Sequence, residues 1–520
     1  MIRAVLGNVD VVGWRAWWWW EVWHHDYWGT PLTRRASHGS WRPITTLSFR
    51  LNVALARVIN VGPDATHYNH HHQEEERVVV TGDPLYPHVS QPLHHDQGNE
   101  EESVVVGDDS LYPPTSPPLL DIETNTHSLH SSYPSSLHSS YPSSLHSSHP
   151  SSLQSSYPSS SSSTTPSSFS AFSFHAVNVI LHALVTAGYV GVLRGVGVGG
   201  WVCLGAGVLF AAHPVHVEAV AGVVGRAELL AALAFCLALC AYTRYLRGRV
   251  CRRWQHCGHG GFEWKDNYHH YHASPTPTPF LFFGSQSSWA WRLPRWAWLV
   301  VSVGGAGVGM ACKEQGVTTL GVGLVVHAAA TLVSTPTHKS VLVTVARELL
   351  PGGVAAALLV WLRVRVISPQ TPSFTPADNP AAHAPNLTTR ALSIGRYWSL
   401  HARLLVWPAT LSFDWSQGAV PLVSRLTDPA NLETAALLVS LATLAGVCEG
   451  QCLHLVVVLA LALLVIPFLP SSNLPAYVGF VVAERVLYIP SMGFCLLVAL
   501  GSQALWRVLP HTPTPPSPSP

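Results

Sequence analysis

The sequence predicts an all-α, polytopic membrane protein. Hydrophobic residues make up 48% of the 520 residues and charged residues only 11%, whereas soluble domains carry about 25% charged residues. The apolar residues fall into runs that approach the roughly 17 to 25 residues needed to cross a bilayer as a helix. One such run could be a buried helix of a soluble core, but a long series of them favours a membrane domain.

The predicted membrane helices follow one another from residue 174 to residue 506. Glycine is frequent inside them, as between Gly304 and Gly309, which suits close packing of helices in lipid. The nine predicted spans lie near residues 174–193, 201–212, 227–246, 296–311, 315–333, 342–366, 434–447, 452–469 and 486–506.

Residues 396–411 are apolar but do not read as a regular span. His401, Arg403 and Pro408 interrupt the segment, and ionisable groups inside a bilayer are costly. We therefore expect the segment to be interfacial or re-entrant. A full crossing there would move Asp414 and Glu484 to the cytosolic side.

The placement of basic residues predicts the orientation. The densest basic run beside a span, RYLRGRVCRRW at residues 244–254, is expected in the cytosol because short cytoplasmic loops carry an excess of Lys and Arg. The loops 213–226 and 367–395 then lie on the opposite side. Asn386-Leu387-Thr388, an N-glycosylation triplet, falls on that same side.

A low-complexity segment occupies residues 63–172. The octapeptide LHSSYPSS begins at residue 129 and recurs with small changes up to residue 160. Such a repeat cannot bury enough apolar area to offset its conformational entropy, so the segment is predicted to be a disordered Ser/Pro/His-rich insert. Residues 508–520 form a similar Pro-rich tail.

Composition and residue spacing do not support a nucleic-acid partner, a disulfide framework, a metal site or a cofactor. A net charge of +1 predicts no nucleic-acid partner. The nine cysteines lack repeated spacing and are expected to be free thiols. The histidine patches at 70–72, 256–261 and 269–272 lack the spacing of structural zinc sites, so neither a metal nor a cofactor is predicted.

Four groups of ionisable residues fall on the predicted non-cytosolic side. Alone, each group could be a helix-end ion pair or a snorkelling side chain. Because ionisable groups at membrane depth are usually kept for function, four groups on one face favour a shared site. The groups are His213, His216, Glu218, Arg226 and Glu228; Lys313 and Glu314; Asp378 and Asp414; and Glu484 and Arg485.

Long phrases of the chain resemble one known family. They include FHAVNVILHALV (174–185), AAHPVHVEAVAGVVGRAELLAAL (211–233), MACKEQGVTTL (310–320) and FLPSSNLPAYVGFVVAERVLYIPSMGFCLLV (468–498). Further matches are DYWGTPLTRRASHGSWRPITTLSFRLN (26–52), DNPAAHAP (378–385) and WPATLSFDWS (407–416). Together they are similar to the TMTC family, the transmembrane and tetratricopeptide repeat-containing proteins.

The resemblance implies a GT-C glycosyltransferase-like helical bundle with luminal loops, multi-pass in the endoplasmic reticulum membrane. It implies transfer of mannose from the lipid-linked donor dolichyl phosphate mannose to Ser or Thr hydroxyls of secretory-pathway proteins, with cadherin-type acceptors. Residues 1–62 would be part of the first luminal loop, and residues 173–507 the multi-span membrane domain.

The same resemblance suggests roles for the ionisable residues. A first-loop carboxylate acts as the general base on the acceptor hydroxyl in such enzymes. Basic side chains hold the donor phosphate and stabilise the leaving group. Lys313, Arg485 and Arg226 are the candidates for that contact. The expected pocket residues are His213, His216, Glu218, Glu228, Glu314, Asp414 and Glu484.

The chain also departs from the family's pattern. The family's acidic pair precedes the motif that reads RAVLGNVDV here, and this chain starts inside that motif, so the catalytic carboxylate is unassigned and Asp10 and Asp26 are only its neighbours. The C-terminal repeats are also missing. A catalytically inactive fragment or relative, acting as a membrane interaction protein, is therefore the alternative. A transporter is disfavoured because the charged groups lie at span ends rather than mid-span.

Overall fold

A computed structural model of the chain describes residues 5–12, 20–34, 37, 39–60, 171–247, 293–334, 341–366, 374–412, 415–416, 418–446 and 451–508. The chain divides into two units, residues 1–65 with 166–520 and residues 66–165, and every described residue belongs to the first. The Ser/Pro repeat, the histidine patches, the basic run beyond Arg247 and the Pro-rich tail lie outside the described residues.

The described residues form helices and connecting turns, without a β-strand. The helices are α1 Val9–Val12, α2 Pro43–Asn60, α3 Ala171–Val196, α4 Gly200–Ala212, α5 Val217–Ala221, α6 Arg226–Arg247, α7 Arg295–Cys312, α8 Thr318–Ser334, α9 Val341–Val366, α10 Leu387–Val406, α11 Ala430–Gly446, α12 Gln451–Val465 and α13 Pro490–Val508. Short 3-10 helices at Pro214–His216, Val223–Gly225, Glu314–Val317, Ile466–Ser471 and Glu484–Leu487 connect them. The all-α prediction is confirmed.

Six helical segments in the described chain are long and apolar enough to cross a membrane, or seven if α4 and the bent helix after it form one span. They are Ala171–Val196, Val223–Leu246, Arg295–Cys312, Glu314–Leu332, Val341–Val366 and Pro490–Val508, and the bent pair is Gly200–Ala212 with Pro214–Ala221. The spans predicted near 434–447 and 452–469 correspond to shorter apolar helices, Ala430–Gly446 and Leu455–Ser471. The chain is therefore a multi-pass membrane protein.

Helix α6 is the centre of the bundle. Inside the protein, 78% of its apolar window is buried, compared with 6% for α9. It packs closely against α7, where a Cβ atom added to Gly305 would come within 2.9 Å of the Ala238 Cβ. Only glycine fits there without moving α6, as expected for close helix packing in lipid.

The helix ends meet at one end of the bundle, which we call the polar end. It comprises residues 213–228, 312–317, 363–366, 466–471 and 484–491. Helices α6, α8 and α13 begin there, whereas α4, α7, α9 and α12 end there. Gln315 ties three of these elements together, because its Nε2 donates to the carbonyls of Pro467 at 3.2 Å and Val486 at 3.1 Å.

Helix α2 lies across the polar end. Its first turn bonds to the end of α7, since the Thr45 hydroxyl donates to the Cys312 carbonyl at 3.0 Å. Two turns later, Asn52 Nδ2 donates to the Ser173 hydroxyl, at the start of α3, at 3.1 Å. The N-terminal segment is therefore joined to the membrane helices at both places.

Helix α10 packs on the polar end without qualifying as a membrane span. Tyr397 and Leu400 on its buried face pack with Val215, Val482 and Leu487. Asn379 lies in the loop before α10, and Asn473 lies in the loop after α12. The Asn379 side chain donates to Asn473 Oδ1 at 2.8 Å and so joins these two loops beside α10. The prediction that residues 396–411 are interfacial or re-entrant remains a prediction.

Five of the nine cysteines lie in described side-chain positions, and all five are buried free thiols. They are Cys203, Cys236, Cys240, Cys312 and Cys495. The expectation of free thiols is confirmed for these residues.

Candidate functional site

Two ion pairs form the centre of the polar end. Lys313 Nζ lies 2.7 Å from Glu228 Oε1, and both side chains are buried. Arg485 Nη1 lies 2.9 Å from Glu218 Oε1, and the backbone N–H of Arg485 donates to the other Glu218 oxygen at 2.9 Å. Arg485 Nε also approaches Glu228 Oε1 at 3.8 Å, so the four residues form one alternating chain of charges.

Local backbone geometry brings these side chains together. Lys313 ends α7 in an extended conformation, and the next residues fold back as a 3-10 turn. That return is possible because Gly316 lies against the backbone of Gly309, where a Cβ atom would overlap it. On the opposing element, the bend after α4 turns the chain toward Arg485 and places Glu218 in the first turn of α5.

Glu314 belongs to a separate ionic cluster. Its two carboxylate oxygens lie 3.5 Å from Arg42 Nη2 and 3.6 Å from Arg363 Nη2. Arg363 also donates to the Trp41 carbonyl at 2.6 Å. The carboxylate of Glu314 is 40% exposed, whereas the two guanidinium groups are largely buried. This cluster therefore joins the end of α9 to the start of α2.

Arg226 is enclosed and does not reach either cluster. Its guanidinium donates to Asn178 Oδ1, Asn52 Oδ1 and the Phe174 carbonyl, each at 3.0 Å. The group also lies 4.5 Å from the centre of the Phe49 ring. The side chain is fully buried. Arg226 therefore acts as a tie between α2, α3 and α6.

His213 and His216 lie behind the Glu218–Arg485 pair. His213 Nε2 donates to the Leu405 carbonyl at 2.9 Å, and His216 Nε2 lies 2.8 Å from the Ser491 hydroxyl. The His216 ring also packs against Tyr488 at 4.7 Å between centroids. The two histidines thus join the turn before Glu218 to α10 and to the start of α13.

Glu484 is buried next to Arg485 and bonds to the loop after α10. Its carboxylate accepts a hydrogen bond from the Ser412 N–H at 2.5 Å. Burial raises the pKa of Glu484, and the hydrogen bond from Ser412 opposes this shift. Asp414 lies outside the described residues. Asp378 is exposed and caps its own turn through Thr375, which lowers its pKa.

Asp10 and Asp26 take different roles in the N-terminal segment. Both carboxylate oxygens of Asp10 lie within 3.0 Å of His25 Nδ1, and Asp10 is buried. Asp26 instead accepts hydrogen bonds from the N–H groups of Trp28 and Thr30 and from the Ser37 hydroxyl. Asp26 therefore organises its own loop, whereas Asp10 holds a neighbouring imidazole.

Three residues of this region were not predicted as site residues: Arg42, Arg363 and His25. Arg42 and His25 lie in or beside the matched phrase at 26–52, but their partners are distant in sequence. Arg363 lies in the last turn of α9, where snorkelling side chains are common, and its partner Glu314 lies on another element. Among the described residues no group of three His, Cys, Asp or Glu side chains is placed to hold a metal ion.

Comparisons with known proteins agree with the resemblance to the TMTC family. Residues 368–442 match the family model described as "Protein O-mannosyl-transferase TMTC, DUF1736". The chain is 34% identical over 371 residues to Protein O-mannosyl-transferase TMTC4 of Mus musculus, covering 65% of this chain and 45% of that protein. It is 34% identical over 401 residues to TMTC2 of Homo sapiens, covering 64% and 43%.

A third relative, TMTC3 of Mus musculus, is 35% identical over 355 residues, which cover 64% of this chain and 33% of the relative. The chain thus spans less than half the length of these curated relatives. No solved structure matches. The resemblance to the TMTC protein O-mannosyl-transferases is confirmed over the shared part.

Proposed function

We propose that this chain transfers mannose from dolichyl phosphate mannose to Ser or Thr hydroxyls of proteins in the secretory pathway, at the endoplasmic reticulum membrane. The printed names of the relatives support O-mannosylation. The observation that carries the proposal is the ionic cluster at one end of a bundle of membrane helices. Such a site can hold the charged head of a lipid-linked donor while its chain stays in the bilayer.

The ion pairs at the polar end suit a donor with a single phosphodiester. In the two ionic clusters, four cations pair with three carboxylates. They are Arg42, Lys313, Arg363 and Arg485 with Glu218, Glu228 and Glu314. When these seven groups are ionised, one positive charge remains, and one phosphodiester group would neutralise it.

Arg485 is the proposed contact to the donor phosphate. Its side chain is 38% exposed, whereas the Lys313 side chain is only 4% exposed and is held by Glu228. Arg485 can therefore exchange one carboxylate contact for a phosphate oxygen without leaving the site, and a bidentate guanidinium fits that group. Lys313 supports this exchange from behind by neutralising Glu228.

Two further arginines extend the proposed phosphate contact. Arg42 and Arg363 approach Glu314 at 3.5 and 3.6 Å, longer than a strong charge-assisted hydrogen bond. An incoming phosphate could replace Glu314 between them. The acceptor would then be a protein segment that presents a Ser or Thr hydroxyl at the same end, with cadherin-type domains as the proposed class.

A second candidate function is that of a non-catalytic membrane interaction protein. The observation in its favour is that each carboxylate of the polar end already has a partner: Arg485, Lys313, the two arginines at Glu314, or the Ser412 N–H. This candidate predicts a folded chain that transfers no sugar.

A transfer assay separates the two. Membranes containing the chain would be incubated with radiolabelled dolichyl phosphate mannose and a cadherin domain, and the product tested for mannose released by alkaline β-elimination. The proposal expects hydroxyl-linked mannose from the wild-type chain. Arg425→Ala, which changes an exposed arginine outside the two clusters, is the matched control. A folded chain that yields none would support the non-catalytic function instead.

A further inference from the structure

Helix α9 has a weak point near its middle. Pro351 has no backbone N–H, so the helical hydrogen bond to the carbonyl four residues earlier is lost. Gly352 and Gly353 follow at once, and glycine weakens a helix by comparison with alanine. No other described α-helix has a proline beyond its first turn. The backbone of α9 is therefore easiest to bend at residues 351–353, since kinks are common at proline and glycine.

The part of α9 just before this point is held by its neighbours. Of the described residues of α9, only Gly352 is buried. A Cβ atom added to it would lie 3.0 Å from Leu324 Cδ2 and 3.1 Å from Tyr242 Oη. One turn earlier, Glu348 Oε2 lies 4.0 Å from His327 Nε2, and both side chains are largely buried. Residues 348–352 are therefore held against α6 and α8.

The second half of α9, residues 354–366, packs loosely on the bundle. Two small side chains, Ala355 and Ala356, pack against the core together with Leu359, and all three are only partly buried. Val354 and Leu358 are 57% and 59% exposed. Since lipid tails are as apolar as these side chains, exposing more of this half to the bilayer costs little. Its movement outward into lipid is therefore weakly opposed.

The last turn of α9 closes one side of the polar end. Arg363 Nη2 lies 3.6 Å from a Glu314 oxygen, and its Nη1 donates to the Trp41 carbonyl at 2.6 Å. Arg363 follows Pro351 by about 18 Å along the helix axis, at about 1.5 Å per residue. A bend of about 20° at residues 351–353 would move Arg363 by roughly 6 Å, which exceeds both contact distances. Such a bend therefore separates Arg363 from Trp41 and Glu314.

We propose that residues 351–353 are a hinge and residues 354–366 a gate through which the lipid-linked donor enters the polar end from the bilayer; this rests on the proposed function. The hydrocarbon chain of the donor stays in lipid, so its phosphodiester reaches the site by passing between helices. With the gate open, Glu314 keeps Arg42 as its partner and Arg363 can take a phosphate oxygen. Contact of that oxygen with both arginines returns the gate to the bundle, so the donor favours the closed form.

Distances between spin labels test the movement. Nitroxides are introduced as a non-canonical amino acid, which avoids the native thiols, at Val364 in the gate and Val308 on α7, both exposed. In phosphatidylcholine vesicles we expect two separations, and dolichyl phosphate mannose should increase the share of the shorter one, whereas dolichol, which lacks the phosphate, should not. A control pair at Leu342, before the hinge, and Val301 on α7 should give one separation throughout. A single separation for the Val364–Val308 pair under every condition overturns the inference.

Stiffening the hinge tests the route of entry. Gly353→Ala and the matched control Gly304→Ala each add a methyl group where no atom of a neighbouring element lies within 4 Å, but only the first lies at the hinge. The gain in helix propensity should lower both the donor kcat/KM and the share of the longer separation about fivefold in Gly353→Ala, and Gly304→Ala should match wild type. Equal kcat/KM in the three proteins overturns the inference, and their transfer of mannose then leaves the proposed function intact. A folded wild-type chain that transfers no mannose, and whose separations do not respond to the donor, overturns both.

Discussion

Lys313 at the end of α7 and Glu228 in the first turn of α6 form a buried ion pair, with Nζ and Oε1 2.7 Å apart. The pair joins the most buried helix of the bundle to the turn that carries Gln315. The Lys313 side chain is buried and held by Glu228, so it supports the site from inside the bundle. Arg485 is the cation of the network that solvent and ligands can reach.

Breaking this pair should destabilise the fold. Lys313→Met leaves the carboxylate of Glu228 buried, with only the long contact to Arg485 at 3.8 Å. Removing one partner of a buried pair costs about 3–5 kcal/mol. We expect a clearly lower midpoint of thermal unfolding in detergent, and partial recovery in the double variant Lys313→Met, Glu228→Gln. A single variant as stable as wild type would show that the pair contributes little.

Arg485→Ala should weaken use of the lipid donor. The guanidinium is the half-exposed member of the network, and a charge-assisted hydrogen bond contributes about 1.5–3 kcal/mol. The donor KM should therefore rise by about 10- to 100-fold, with a smaller change for Arg485→Lys, which retains the charge. Transfer kinetics at varied donor concentration measure this. An unchanged donor KM, equal to that of Arg425→Ala, would remove Arg485 from the phosphate contact.

Arg226→Lys should affect stability rather than donor binding. The guanidinium has separate acceptors on α2 and α3, and one ammonium group cannot reach all of them in the same geometry. We expect a loss of about 2–5 kcal/mol, seen as a lower unfolding midpoint. The donor KM of the remaining folded protein should match wild type. A raised donor KM at unchanged stability would assign Arg226 to the phosphate after all.

His401 should make the fold sensitive to acid. Burial lowers the pKa of His401 to about 4, and its Nε2 accepts the Ala483 N–H at 3.3 Å. The unfolded chain binds the proton near pH 6.5. Stability is therefore complete above about pH 6.5 and falls by about 1.4 kcal/mol per pH unit between 6.5 and 4.

Unfolding midpoints across that pH range measure the effect of His401. The variant His401→Gln should be less stable at neutral pH, because it changes a buried hydrogen bond, but its stability should depend less on pH. Equal slopes in the two proteins would assign the acid sensitivity to other groups.

Asn386 should carry an N-linked glycan. The residue is exposed immediately before α10, in the triplet Asn386-Leu387-Thr388. Expression with microsomes should give a product whose mobility shifts after glycosidase treatment, and Asn386→Gln should abolish the shift. The matched control is Asn379→Gln, which changes a buried asparagine outside any such triplet and should leave the mobility shift unchanged. Glycan addition only at sites engineered into the predicted cytosolic loops would reverse the orientation.

Much of the membrane architecture was predictable from the sequence. The span predicted at 342–366 is α9, Val341–Val366, and the one at 296–311 is α7, Arg295–Cys312. Hydropathy succeeds here because a helix in lipid must satisfy its backbone internally and present apolar side chains over a fixed length. The predictions near 434–447 and 452–469 located helices, but these are shorter than a full span.

The site was predictable as a region and less so as a set of contacts. Glu218, Glu228, Lys313 and Arg485 were expected to converge, and they form one network. Arg226 was grouped with them because it lies near in sequence, yet its side chain turns toward Asn52 and Asn178. Side-chain direction depends on the packing of α2 and α3, which no local pattern records.

Composition, hydropathy and the matched phrases were thus sufficient for the all-α membrane class, the helix positions, the family resemblance and the region of the site. These properties depend on residues close together in the chain or on their overall content. The partners of Lys313, Arg485, Glu314 and His25 came only from the tertiary structure. Each of those pairs joins different elements, and burial of a charge is tolerated only where folding brings its partner within a few ångströms.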